Sequence, residues 1–296
     1  MSASYALRSV LIALLCICAL RAQAAIVCNV SSSGFTAYYF ENDPNPTNGT
    51  GSFTVSCSRT AGDAITFAYT LTSDDGLHES GGFNRAFNGA GGTGAARMNY
   101  NLYRDAGLTQ RWGNSTALDF TGTVNFGTAA TLFATHTQTY YTTIPAVQNK
   151  NAGLFTDTVT MRLCNSLGTG CGTGNLSNGT FPVTINNNSL CLLTTPPGSI
   201  SFNYTSFQVA NATANTSYTV RCTINQAYAM TLDAPGGTLL GLNYTLSLSA
   251  PGNRTGTGLP ENFTINGTIL GGGSTSGTCG GATCNQTQPR TLTITY

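Results

Sequence analysis

Charge is scarce in this sequence. Charged residues make up 8% of the 296, Lys150 is the single lysine, and His78 and His136 are the two histidines. No basic excess is available to neutralise a nucleic-acid backbone or an anionic membrane, so no nucleic-acid partner is expected. Catalysis is also poorly provided for. Neither histidine lies in a recognisable catalytic motif, and no Gly-x-Ser-x-Gly elbow is present. Asp105, Asp119 and Asp157 are the available carboxylates for a glycosidase-like pair, but Asp105 and Asp157 fall inside motifs that read as structural. No enzyme and no cofactor are expected.

Metal-binding patterns are missing too. There is no Cys-x2-Cys pair, and the histidines are far from the cysteines. Asp74, Asp75 and Glu79 lie close together, yet without EF-hand spacing they read as a solvated acidic loop. No metal is expected.

Only one long apolar run exists, Val10–Leu20, behind Arg8 and ahead of Ala22-Gln23-Ala24. That is a signal peptide with a small-x-small cleavage site, expected over residues 1–24. Leu15 and Ile17, which precede Cys16 and Cys18, are too large for a lipoprotein site. Removing 1–24 takes away two arginines and no acids, which turns the formal charge of +1 into −1. No other segment could span a membrane as a helix. The sequence therefore describes an exported chain that is not membrane-embedded.

Of the ten cysteines, eight lie beyond the leader: 28, 57, 164, 171, 191, 222, 279 and 284. An even count in an exported chain implies disulfides. Many connectivities are possible; the spacing favours Cys28–Cys57, Cys164–Cys171, Cys191–Cys222 and Cys279–Cys284.

The long pairs expose an internal repeat. Gly51–Cys57 and Thr216–Cys222 each alternate an aromatic, a valine and the cysteine. Ile65–Leu71 and Ala229–Asp233 follow at a similar distance, then Met98–Tyr103 and Leu242–Ser247, which share Asn-Tyr-x-Leu. Each copy closes on a Thr-rich strand, Thr156–Leu163 and Arg290–Tyr296. Short alternating strands joined by Gly/Asn/Ser/Pro turns indicate antiparallel sandwiches, so the fold class is all-β with two Ig-like domains, over residues 25–188 and 189–296. The glycine-rich stretches Asp74–Ala96 and Thr121–Thr139 read as exposed insertions in the first.

The copies differ after their terminal strands. Phe181, Val183 and Ile185 alternate in Gly179–Asn186, which can lie antiparallel to Thr156–Leu163 and complete the first domain. The strand with Leu292, Ile294 and Tyr296 on one face has no such successor. The second domain is expected to lack its last strand. At the other end, only Ala25, Ile26 and Val27 precede Cys28 in the expected mature chain, so no N-terminal arm is expected.

Arg97-Met98, Tyr100-Asn-Leu-Tyr-Arg-Asp105, Trp112-Gly113 and Gly153-Leu-Phe-Thr-Asp-Thr-Val159 occur in that order. In these motifs the chain resembles the spore coat protein U family, which includes pilins of archaic, Csu-type, chaperone–usher pili. The resemblance covers most of residues 26–163; the second copy keeps only the cysteine strand, Leu242-Asn-Tyr-Thr-Leu246 and the final strand. It implies Ig-like sandwiches missing a strand. A periplasmic chaperone and an outer-membrane usher handle such subunits, and the N-terminal strand of the next subunit then completes them. The resemblance thus implies a pilus-tip adhesin, extracellular after passage through the periplasm, with Leu292, Ile294 and Tyr296 lining the groove. It also implies attachment to an abiotic or host surface in biofilm formation through loop aromatics. The candidates are Tyr38, Tyr39, Phe40, Phe83, Phe87, Leu132 and Phe133. Trp112 could stack on a sugar, but it belongs to a motif of the fold. A self-standing secreted or spore-coat-like protein is the alternative. The Asn-x-Ser/Thr sequons read as accidents of an Asn/Thr-rich composition.

Overall fold

The computed structural model describes residues 26–89, 94–113, 119–165, 175–274 and 285–296. The predicted signal peptide lies outside them, as do Cys171, Cys279 and Cys284. Among the described residues the chain is all-β, with one 3-10 turn at Gly94–Ala96.

Ten strands form the first unit: β1 Val27–Ser32, β2 Phe35–Tyr39, β3 Thr47–Ser58, β4 Thr66–Ser73, β5 Asn84–Phe87, β6 Arg97–Tyr103, β7 Phe120–Asn125, β8 Phe133–Ile144, β9 Gly153–Cys164 and β10 Asn175–Asn187. They pair in the order β1-β3-β8-β6-β5-β9-β10-β2, with β4 between β7 and β9. β6 switches sheets, pairing with β5 through its first half and with β8 through its second. Alternation explains the core. On β3, Phe53, Val55 and Cys57 point inward, and on β9 Phe155, Val159, Met161 and Leu163 do the same.

Eight strands follow: β11 Cys191–Thr195, β12 Ala212–Cys222, β13 Ala227–Leu232, β14 Gly236–Leu239, β15 Leu242–Leu248, β16 Gly252–Thr255, β17 Glu261–Ile269 and β18 Leu292–Thr295. They make one sheet in the order β11-β12-β17-β15-β14 and a second in the order β16-β13-β18. The side chains buried between these two sheets form clusters separate from the core of the first unit.

Disulfides Cys28–Cys57 and Cys191–Cys222 are formed through directly paired residues, the first joining β1 to β3 and the second β11 to β12. Cys164 is also disulfide-bonded.

The two glycine-rich stretches are only partly loops. Asp74–Ala96 contains β5, and Thr121–Thr139 contains most of β7 and the start of β8. Ala86 and Val124 of these strands are buried in the core, and polar contacts add to them. The Tyr69 hydroxyl lies 2.8 Å from His136 Nδ1 and accepts from Gln138 Nε2 at 2.9 Å. Gly122 is what admits this cluster, because a Cβ there would stand 2.6 Å from the Tyr69 hydroxyl.

Trp112 is the centre of the first core. Its backbone N–H donates to Leu102 O of β6 (2.8 Å) and its indole N–H to Leu71 O of β4 (3.3 Å). Its ring meets Phe120 edge-on at 4.9 Å and stacks on Phe181 at 6.3 Å. It is wholly buried, so it is not a sugar-stacking platform. Trp112→Ala should destabilise this unit by about 3–5 kcal/mol, measured by denaturant titration.

Candidate strand-acceptor groove

The two strand groups repeat one plan, and hydrogen bonds fix the correspondence. Asp74 N donates to Thr160 O in the first unit (2.9 Å) and Asp233 N to Thr291 O in the second (3.0 Å). The Tyr100 hydroxyl donates to Asp157 Oδ2 (2.7 Å), and the Tyr244 hydroxyl to Gln288 Oε1 (2.7 Å). β13 therefore stands where β4 does, β15 where β6 does, and β18 where the end of β9 does. Leu292 takes the place of Met161, and Ile294 that of Leu163.

In the first unit β9 has neighbours on both edges. β4 covers it at Met161–Cys164, and β10 pairs with it from Gly153 to Cys164. β10 in turn runs parallel to β2, Val183 opposite Phe35 and Asn187 opposite Tyr39. Its Phe181, Val183 and Ile185 are fully buried. Gly34, at φ +77°, makes room for this strand, since a Cβ there would fall 1.9 Å from Pro182 O.

In the second unit β18 pairs with β13 alone, and no described strand lies on its other edge. Only four residues are strand. Residues 285–291, which correspond to the half of β9 held chiefly by β10, belong to no strand, although Thr291 O accepts from Asp233 N. The stretch after β11, 196–204, is likewise not a strand, although its counterpart in the first unit includes β2. Between these two edges Ile200, Leu232, Leu246, Leu292 and Ile294 pack on the core while staying partly exposed. Tyr296 lies beyond the strand and is 54% exposed, so of the three predicted groove residues Leu292 and Ile294 face the core. Sequence alternation did not reveal Arg290, which stands where Val159 does. Its Nε donates to the Tyr244 hydroxyl (2.8 Å), its Nη2 donates to Gly236 O (2.6 Å), and Nη1 faces Asp233 at 3.8 Å.

The seven loop candidates do not converge. Tyr39 is a correction: it is 1% exposed, because it shares the inward face of β2 with Phe35. Its hydroxyl accepts from Gln148 N (2.8 Å), and burial pushes its pKa up to about 12. Phe83 and Phe87 are half-buried; Phe87 lies between His78 (5.4 Å) and the Arg97 guanidinium (3.9 Å). Tyr38 and Phe40 are exposed, but they flank Tyr39 at the end nearer the second unit, where Ala152 N donates to Ile224 O (2.8 Å).

Leu132 and Phe133 are exposed at the opposite end, in the row Val27, Ser58, Phe133 across β1, β3 and β8. Exposed Val27 and Ile65 join them there. Arg59 builds this end. Although 6% exposed, it donates to the carbonyls of Asp63, Thr128, Ala129 and Thr131, and its guanidinium lies over Phe126 at 5.1 Å. No local sequence signal marks Arg59, since every one of these partners except Asp63 is remote in the chain.

The model of the Spore Coat Protein U domain matches residues 14–162. The chain belongs to that family. Neither the family nor this fold is that of an enzyme. No curated protein matches the chain in sequence. Among solved structures, it is similar to the chaperone–tip adhesion subunit pre-assembly complex CsuC–CsuE of archaic chaperone-usher Csu pili from Acinetobacter baumannii. That likeness has 14% identity and a TM-score of 0.45, over 91% of this chain and 99% of that one. It is also similar to the CupB6 tip adhesin of Pseudomonas aeruginosa, with 7% identity and a TM-score of 0.40 over 84% and 89%. The adhesive subunit CfaE of enterotoxigenic Escherichia coli follows, with 12% identity and a TM-score of 0.26 over 68% and 75%. With TM-scores below 0.5, these likenesses say nothing further about this chain.

A synthetic peptide with large apolar residues at every second position should enter the edge beside β18. The melting temperature should rise, and the amides of residues 285–288, 290 and 291 should become protected from hydrogen exchange. Unchanged exchange there would show that this edge accepts no strand.

Proposed function

We propose that this protein is the tip adhesin of a chaperone–usher pilus. In this reading residues 25–188 form a self-complete adhesive domain and residues 189–296 a pilin-like domain that accepts a donor strand. The single observation that carries it is the edge of β18. The same edge in the first unit holds β10, with three side chains wholly buried, and in the second unit no described strand lies on it, beside partly exposed Leu292 and Ile294. An open edge of this kind invites aggregation unless a partner covers it. A periplasmic chaperone would cover it first, and the N-terminal strand of the next subunit would replace the chaperone at the usher.

The adhesive surface in this reading is the far end of the first unit. Leu132 and Phe133, with Val27 and Ile65, expose apolar groups on a turn that Arg59 holds in shape. Exposed apolar groups on a rigid support suit contact with an abiotic or host surface during biofilm formation. Tyr38 and Phe40, at the opposite end, are left out of this surface.

Two experiments separate the roles. Leu292→Asp or Ile294→Asp should abolish incorporation into pili while the first unit keeps its melting transition; normal assembly would refute the groove. Leu132→Ser with Phe133→Ser should leave pili visible by electron microscopy and reduce surface attachment about tenfold or more, the loss expected for central apolar anchors. Unchanged attachment would remove this end from the adhesive role.

A further inference from the structure

Among its described residues the second unit has an apolar cleft besides the edge of β18. A cleft of about 400 Å³ opens between β13 and β15, lined by Met230, Leu232, Pro235, Leu246, Leu248 and Pro251 among others. The first unit shows what belongs there. Leu71 and Leu102 are the counterparts of Met230 and Leu246, and between them lies Trp112, whose indole N–H donates to Leu71 O and whose backbone N–H donates to Leu102 O. Phe120, opposite Leu71, closes that space; opposite Met230 stands Gly252.

Chain length explains why the second unit cannot fill the cleft in the same way. Trp112 sits on the long connection between β6 and β7, whereas Ser249–Pro251 alone joins β15 to β16. Residues 275–284 contain no aromatic residue. The cleft is therefore an apolar site, roomy enough for an indole, to which the described residues of its own unit bring no equivalent of Trp112.

We infer that this cleft receives an aromatic side chain from the same partner that supplies the strand beside β18. The inference rests on the strand-acceptor reading above. It is argued from a contact in the first unit, where the Trp112 ring stacks on Phe181 of β10 at 6.3 Å with the planes 19° apart. The plug and the closing strand touch there. The second unit has no counterpart of either among its described residues, so a partner occupying one position adjoins the other. Burial of an aromatic in a preformed apolar cleft adds contact area without a further main-chain ladder, and it selects partners that carry such a residue at the right reach.

Site-specific photocrosslinking in cells that assemble pili tests this, with p-benzoylphenylalanine placed singly at Leu248, at Pro251 and, as a groove control, at Ile294. The expected result is that Leu248 or Pro251 crosslinks the subunit that Ile294 crosslinks, with the adduct mapped to an aromatic residue or its neighbour. Leu248→Arg should then speed dissociation of the joined subunits about tenfold, while a strand peptide lacking the aromatic binds the variant as it binds the original. A crosslink from Ile294 with none from either cleft position, or crosslinks from the cleft to a different protein, would overturn the inference and leave the groove standing. No crosslink from Ile294 would remove the groove and the inference together. If indole alone protects the cleft positions and no protein adduct forms, the occupant is a small aromatic molecule and the inference is wrong.

Discussion

A β-strand has two edges, and a strand in the middle of a sheet needs both covered. The pairing of β9 with β10 meets that condition in the first unit along the whole of β9. Much else depends on it. β10 brings Phe181, Val183 and Ile185 into the core, gives β2 its parallel partner and sets the ring on which Trp112 stacks. Among its described residues the second unit has no equivalent pairing, and it has a four-residue β18, a stretch outside any strand ahead of it and partly exposed apolar residues. These are one effect seen in three places.

The sequence made this difference readable because strand alternation has a period of two and survives in Thr156–Leu163, Gly179–Asn186 and Arg290–Tyr296. The cysteine pairs Cys28–Cys57 and Cys191–Cys222 were readable from spacing. Other features were hidden for physical reasons. β5, β7 and the start of β8 carry Gly, Thr and Asn where hydrophobic residues would signal a strand, and polar contacts such as Tyr69 with His136 and Gln138 hold part of them. Tyr39 reads as a loop aromatic because three aromatics stand in a row; the alternation of Phe35, Ala37 and Tyr39 carries the correct signal. Arg59 and the Trp112 cleft depend on contacts between distant segments, which no local pattern encodes.

The ends of the first unit are built differently. Toward the second unit, Asn187 Nδ2 donates to the carbonyls of Lys150 and Asn151, and Ala152 reaches Ile224, so polar main-chain contacts dominate. At the far end, Arg59 satisfies four carbonyls of two turns from inside, leaving Leu132, Phe133 and Ile65 to face solvent. An arginine can do this because its planar guanidinium carries five donors in fixed directions.

The path of the chain through β10 has a mechanical consequence. β10 ends at Asn187 and the second unit begins at Cys191, so tension between the units pulls β10 along its own axis. Neighbouring strands, antiparallel β9 and parallel β2, flank it on both sides. A pull in that direction loads the ladder in shear, with its hydrogen bonds sharing the force, instead of peeling them one at a time. The strand that completes the core is thus also the member best placed to resist extension.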